Sequence, residues 1–303
     1  MKILITGATG LIGSELVSTL LKHGHHIHYL STSNEKLASE PHYRGFYWNP
    51  EKGKIDDRAI EGIETIIHLA GASISKRWTK KYKQEIIESR VLSANLLFST
   101  LKNHPHQVKH LISASAIGIY PDRLKNIYTE ETKEVDEGFL GYVVEKWEQV
   151  ADKFRLLNIK VAKIRTGIVL SDKGGALMEM VKPVKFGLGS PFGSGKQYQS
   201  WIHISDLVGI YRMAAEQEWT GAFNAVAPHA VTNKELMRTI ADTLHKPFFM
   251  PNIPEFLMQL VLGEMHTILF SSQNVSSTKV RDNGYQFQYD YLEKALHALL
   301  VHA

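Results

Sequence analysis

The sequence predicts an α/β protein, a doubly wound parallel sheet with a smaller C-terminal lobe interleaved with it in sequence. Three observations carry this. Short apolar runs rich in β-branched residues alternate with amphipathic stretches from the N-terminus to about residue 170. A glycine loop, Gly7 to Gly13 (GATGLIG), separates the first run from the first helical stretch. After about Ser171 the rhythm gives way to a glycine-rich segment between Gly174 and Gly195.

In order, Lys2 to Thr6 (KILIT) reads as a strand buried on both faces. Ser14 to His23 puts Leu16, Val17, Leu20 and Leu21 at helical spacing, and Gly24 stands where a C-cap belongs. Ile27 to Leu30 closes a right-handed βαβ unit. Further strands are read at Gly45 to Trp48, Thr65 to Leu69, Val108 to Ala114 and Val161 to Ile164, with helices from about Lys80 to Lys102 and from Tyr142 to Leu157. Beyond Ser171, a helix from Ser205 to Gln217 and a strand from Ala222 to Val226 are expected to rejoin the sheet. Helices near Asn233 to Leu244 and Tyr291 to Leu300 belong to the cap. The expected division is residues 1–170 as a nucleotide-binding domain, with 201–226 returning to it, and 171–303 mainly as a substrate-binding cap.

Composition narrows the function. The 303 residues are 44% hydrophobic and 22% charged, a globular balance. The 35 basic and 31 acidic residues leave a net charge of +4, compatible with an anionic ligand and no argument for nucleic acid. The absence of cysteine excludes disulfides, thiolate catalysis and Cys-ligated metal. No apolar run approaches the roughly 18 residues of a membrane span, and MKILITGATG lacks the long apolar region of a secretory signal. A soluble, cytoplasmic protein is the expectation, with a homodimer admitted. His23, His25, His26 and His28 crowd the start of the second strand; alternation puts His26 and His28 together and His25 opposite, and no carboxylate or cysteine accompanies them, so no metal is expected and an exposed strand entrance is.

Gly7-x-x-Gly10-x-x-Gly13 lies directly after a strand and opens a helix, the context of a dinucleotide site. The first glycine permits the turn, the second lets backbone approach a pyrophosphate, and the third lets helix and strand pack closely. The helix N-terminus offers N–H groups and partial positive charge. Gly7, Thr9, Gly10, Leu11, Ile12 and Gly13, with Leu69, Ala70 and Gly71 after the fourth strand, are the cofactor-binding candidates. At the end of the second strand Ser31, Thr32 and Ser33 replace the acid that would bind ribose hydroxyls of NAD. Hydroxyls can donate to a 2′-phosphate, with Lys36 or Arg44 adding charge, so NADP(H) is expected over NAD(H). A plain polar turn is the alternative.

These segments resemble the short-chain dehydrogenase/reductase superfamily on its extended side, the NAD(P)-dependent epimerase/dehydratase family. The likeness runs nearly end to end. It is carried by Gly7–Gly13, His68-Leu69-Ala70-Gly71-Ala72, Ser113-Ala114-Ser115 and Trp201-Ile202-His203-Ile204-Ser205-Asp206. Lys76-Arg77-Trp78-Thr79, Glu88-Ser89-Arg90, the Gly193-Ser194-Gly195 to His203 block, Phe223-Asn224 and Ala227-Pro228 narrow it to a subfamily of nucleoside-diphosphate-sugar epimerases. The resemblance implies a Rossmann sheet, hydride chemistry at a carbinol or carbonyl carbon, and a Ser, Tyr, Lys site of the form Tyr-x-x-x-Lys. Tyr142 and Lys146 fit that spacing, one helical turn apart, and Ser115 precedes them after the fifth strand. In that reading Ser115 holds the substrate oxygen. Tyr142 shuttles the proton, and Lys146 lowers the tyrosine pKa and holds the nicotinamide ribose. An ordinary helix-surface tyrosine beside a solvated lysine is the alternative. Tyr120, followed by Pro121 where the family usually has glycine, is a rival phenol.

Arg77, Trp78, Tyr120 and Gln197 are the substrate-side candidates, Arg and Trp suiting an anionic or nucleotide-linked substrate; packing roles are the alternative. Arg90 is a weaker candidate. Asp206 is placed to cap the helix that begins beside it. A functional rival is a cofactor-binding regulator or redox sensor with little turnover.

Overall fold

The computed structural model describes residues 1–301. Seven strands make the main parallel sheet. They are β1 (Lys2–Thr6), β2 (His26–Ser31), β3 (Tyr43–Asn49), β4 (Thr65–His68), β5 (His110–Ala116), β6 (Lys160–Thr166) and β9 (Gly221–Ala225), with β7 (Ile168–Leu170) and β8 (Trp201–His203) paired to each other outside it. Their order is β9-β6-β5-β4-β1-β2-β3, and short antiparallel segments at Ser39–Glu40 and Lys54–Ile55 flank β3. Chain direction across the sheet reverses between β1 and β4, so the crevice for a ligand opens above their carboxyl ends.

Alternation within β1 explains the layers. Ile3 and Ile5 face α1 (Leu11–Lys22) and α5 (Ile204–Glu216), whose Leu16, Leu20, Leu207, Tyr211 and Ala214 share their cluster. Leu4 faces the opposite layer, where α2 (Lys80–Asn103) and α3 (Phe139–Asp152) contribute Leu97, Leu101 and Ala151. Each such fully buried side chain contributes about 1.5–3 kcal/mol of transfer free energy. A third cluster joins Leu170 and Trp201 to α4 (Ala176–Lys185), α6 (Asn233–Thr243) and α7 (Leu292–Leu300). Strand β9 pairs with β6 in register from Gly221–Ala162 to Ala225–Thr166, so the chain returns to the sheet after β7, α4, β8 and α5.

Element starts differ from the sequence pattern where backbone caps override side chains. Helix α1 begins at Leu11, three residues before Ser14, because Gly10 is its N-cap. Helix α3 begins at Phe139 rather than Tyr142, with Gly138 as its N-cap; a Cβ on Gly141 would lie 1.9 Å from the Asp136 carbonyl oxygen. The histidine-rich entrance to β2 is less exposed than the sequence suggests. His25 is buried against Glu216, and His28 is buried with Nδ1 2.9 Å from the Ala59 carbonyl. No helix is long and apolar enough to cross a membrane among the described residues.

Candidate active site

The crevice is built from glycines first. Gly7 ends β1 at φ +71°, a left-handed conformation that suits glycine, and a Cβ there would crowd the Leu69 carbonyl carbon at 3.1 Å and the Ala70 nitrogen at 3.2 Å. A Cβ on Gly13 would lie 2.1 Å from the Gly7 carbonyl oxygen. The loop therefore packs against both its own helix and the end of β4. The α1 N-terminus has no side-chain cap and no acidic residue in its first turn. Thr9 and Gly10 are exposed at the loop crest, with Leu11 and Ile12 half-buried behind them. Uncapped N–H groups at an exposed helix start, under a loop with no room for side chains, fit a pyrophosphate. Gly13→Ala is expected to lower NADPH affinity by at least tenfold and thermal stability by about 1–3 kcal/mol through overpacking. Fluorescence titration and thermal unfolding of the variant would measure both, and a variant that bound NADPH normally would refute the packing argument.

Leu69, Ala70 and Gly71 are held beside this loop by Thr6. Its Oγ1 accepts from the Leu69 nitrogen at 3.1 Å and the Ala70 nitrogen at 3.0 Å. With both lone pairs used, Thr6 must donate to His68 Nδ1, 2.8 Å away. His68 then carries its proton on Nε2, facing Ser93 Oγ at 3.2 Å. Burial, with the charge of Arg90 adding to it, pushes the His68 pKa down to about 4, as a neutral imidazole in this relay requires.

At the end of β2, Ser31 is buried and its Oγ accepts from the Ser33 nitrogen at 3.1 Å, shaping a turn that leaves Thr32 exposed. Lys36 is exposed nearby in the chain. Arg44 pairs in register with His28, three residues before Ser31, and its guanidinium lies 5.2 Å from the Phe46 ring.

The catalytic candidates do not meet. Ser115 is buried and donates from Oγ to Glu148 Oε1 at 2.7 Å. Tyr142 is 49% exposed and lines a shallow depression with Lys80, Lys83, Phe139 and Glu264. Lys146 Nζ lies 5.5 Å above the Tyr142 ring and 3.4 Å from Gln149 Oε1. The expected convergence of Ser115 and Tyr142 is thus absent, because helix phase turns Val144, not Tyr142, toward the cluster of Ile117, Ile119 and Tyr120. The pair does share a helix face, but the wrong one for Ser115.

Tyr120, the rival phenol, is fully buried. It donates to Asn224 Oδ1 at 2.7 Å and accepts from Arg165 Nη1 at 2.9 Å. Arg165 also meets Glu148 through Nε at 2.8 Å and Nη2 at 3.0 Å. Burial would raise the Glu148 carboxyl, but the hydrogen bonds and charge of Arg165, with Lys163 and Ser115, outweigh it and hold the pKa below the ordinary carboxylate range. Ser115, Glu148, Arg165, Tyr120 and Asn224 form one buried strut from β5 through α3 and β6 to β9. Glu148 and Arg165 were not singled out from sequence, though an acid within the Val144-Trp147-Ala151 stripe and a cation in strand β6 were visible there.

The substrate-side residues also take packing roles. Trp78 is buried, donates from Nε1 to the Ile74 carbonyl at 3.0 Å and meets Phe139 edge to face. Gln197 is buried, and its Nε2 donates to the carbonyls of Phe192 and Leu269 at 3.0 and 3.1 Å, stitching the cap to itself. Arg77 is exposed, its Nε near Gly263. Gln197 therefore does not face Arg77 across the crevice. Asp206 caps no helix. Its carboxylate receives Tyr285 Oη at 3.0 Å and the Gln288 and Tyr289 nitrogens at 2.8 and 3.0 Å, anchoring the C-terminal segment. The cap of α5 is His203, whose Nδ1 accepts from the Ser205 nitrogen at 3.1 Å.

Comparison with known proteins agrees with this architecture. Residues 3–147 match the model of the NAD dependent epimerase/dehydratase family, and residues 253–299 match a domain of unknown function. An epimerase family protein of Staphylococcus aureus, SAR0825, is 37% identical over 302 residues, covering 98% of each chain. One of Staphylococcus saprophyticus, SSP1921, is 38% identical over 298 residues with the same coverage. Among solved structures, human epimerase family protein SDR39U1 (isoform 2) with NADPH superimposes with a TM-score of 0.86 at 28% identity, covering all of both chains. A nucleoside-diphosphate sugar epimerase of Corynebacterium glutamicum has a TM-score of 0.80 at 29% identity; this chain spans 58% of it. With a glycine cradle at the switch point of a parallel sheet and relatives matched along nearly its whole length, the chain belongs to the NAD-dependent epimerase/dehydratase family of NAD(P)-dependent, Rossmann-fold proteins.

Proposed function

We propose that this chain binds NADP(H) in preference to NAD(H) and transfers hydride between it and a carbonyl or carbinol carbon of a small substrate, nucleotide-sugar-like or otherwise anionic. The observation that carries the reading is the glycine loop itself: a Cβ on Gly7 would crowd Leu69 and Ala70, and one on Gly13 would overlap the Gly7 carbonyl oxygen. The human relative, whose crystal structure is with NADPH, supports it. When bound, the nicotinamide supplies the hydride donor or acceptor. The N–H groups at the start of α1 receive the pyrophosphate, and Thr32 with the turn around Ser31 and Ser33 receives the 2′-phosphate without an opposing carboxylate. Ser115, Tyr142 and Lys146, which no hydrogen bond joins, take no part in proton transfer in this reading; solvent water supplies the hydroxyl proton when hydride adds to the carbonyl and takes it up when hydride leaves the carbinol.

Direct titration tests the cofactor. NADPH is expected to bind about tenfold more tightly than NADH, a difference of roughly 1.4 kcal/mol. Thr32→Asp sets a negative charge against the 2′-phosphate and is expected to erase that preference while leaving NADH affinity within about twofold. Equal affinities in the wild-type protein would end the NADP(H) reading. A second reading, an NADP(H)-binding regulatory or redox-sensing protein with little turnover, is favoured by one observation: the hydroxyls of Ser115 and Tyr120 are locked in a buried strut. NADPH oxidation by any member of a panel of carbonyl compounds decides for the enzyme.

A further inference from the structure

Arg90 is a cation without a counter-ion. It is 9% exposed and forms no ion pair among the described residues; only Nη1 is engaged, with the carbonyls of Ile86 at 2.9 Å and Ala72 at 3.2 Å. Nε is buried without a partner, and Nη2 donates to no described group. The guanidinium carbon lies 4.7 Å from the centre of the Trp147 ring, a cation–π contact. Its other neighbours, His68 and Tyr82, bring no carboxylate. Burial pushes its pKa down to about 10, against two carbonyl hydrogen bonds and the Trp147 ring that offset the cost only in part.

Its position gives the unused donors meaning. Gly71, exposed after β4, has no side chain to cover the guanidinium, and a Cβ there would touch Arg90 Cζ at 3.0 Å and Nη1 at 3.2 Å. Two residues back, Leu69 borders the Gly7 loop. The guanidinium thus lies with Nη1 under a glycine at the β4 side of the crevice, and Nη2 is its one unpartnered donor that burial does not seal from a ligand.

We infer that Arg90 is the anion receptor of the crevice, its Nη2 donating to an oxygen of a carboxylate or phosphoryl group on the ligand held beside the dinucleotide. A charged N–H donor suits an oxygen of either group. The inference rests on the dinucleotide reading above and extends it to the substrate's charge.

The test uses the full chain saturated with NADPH, titrated at constant ionic strength with oxalate in one arm and inorganic phosphate in the other. The Nε–Hε resonance of Arg90, assigned with Arg90→Lys, is expected to shift saturably in one arm, which distinguishes carboxylate from phosphoryl. Arg90→Lys, which keeps charge and loses Nη2, is expected to weaken that anion at least tenfold and change NADPH affinity less than twofold. Gly71→Ala, which covers the guanidinium and leaves its charge, is expected to weaken the anion similarly. NADPH binding with an unmoved Arg90 resonance in both arms would overturn the inference, as would a tenfold loss of NADPH affinity in Arg90→Lys, which would give the guanidinium to the cofactor. Failure of the wild-type chain to bind NADPH would remove the dinucleotide reading itself.

Discussion

Acidification from pH 7 to pH 4.5 is expected to cost this protein several kcal/mol of stability before its carboxylates titrate. His68 and His203 are both buried, and burial pushes both pKa values down to about 4. In the unfolded chain each titrates near 6.5. Below that value the unfolded state takes up protons that the native state refuses, so stability is fully present above about pH 6.5 and is lost as pH falls toward 4. A gap of about two and a half pKa units corresponds to roughly 3 kcal/mol for each imidazole. The bonds explain the refusal. His68 Nδ1 accepts from Thr6 and His203 Nδ1 accepts from the Ser205 nitrogen, so protonation of either ring would replace a hydrogen bond by two facing donors. His28 and His110, also lowered mainly by burial, add in the same direction. Urea unfolding at half-unit pH steps reads this directly. A midpoint that stayed level from pH 7 to pH 5 would show the imidazoles to have ordinary values.

Arg165→Met is expected to destabilise the fold by about 3 kcal/mol or more, because removing one partner leaves the other charge buried. Glu148 is nearly inaccessible and takes three of its hydrogen bonds from Arg165 and Ser115. Lys163 Nζ, 3.3 Å from Glu148 but also 2.9 Å from Asp152, offers partial compensation. Tyr120 would lose a donor as well. Replacing both members, Glu148→Leu with Arg165→Met, is expected to recover much of the loss, since an apolar pair leaves no buried charge behind. Denaturant unfolding of the single and double variants measures the coupling. A single variant costing under about 1 kcal/mol would mean that water enters the strut.

The fold was legible because its signals are local. A β-branched run such as KILIT and the glycine spacing at residues 7, 10 and 13 state their structure within a few positions, and the structure places β1, the loop and α1 there. The family followed from the same segments. The site was legible only where backbone makes it. For side chains, spacing says which residues share a helix face but not where the face points. Tyr142 and Lys146 are one turn apart as read, yet α3 starts at Phe139 and is rolled so that Val143, Val144, Trp147 and Glu148 face inward. Arg44 shows a related limit: a position in strand β3 says nothing of which residue of β2 it lies beside until register is known, and it lies opposite His28. Trp78, Tyr120 and Gln197 looked like ligand contacts because large polar-tipped residues serve both recognition and packing. Only their partners, distant in sequence, decide between the two.

The return of β9 to the sheet bears on how the chain is made. During synthesis, β6 emerges as an edge with unpaired N–H and C=O groups and stays so while the intervening cap segment is translated. Asn224, the far end of the buried strut, arrives only with β9, and its side-chain nitrogen then reaches forward to the Ser276 carbonyl at 3.2 Å. The nascent parallel sheet therefore leaves the ribosome unfinished, its last strand supplied from beyond β7, α4 and β8, and a gene fragment ending near residue 170 encodes an open, self-adhesive sheet instead of a closed one.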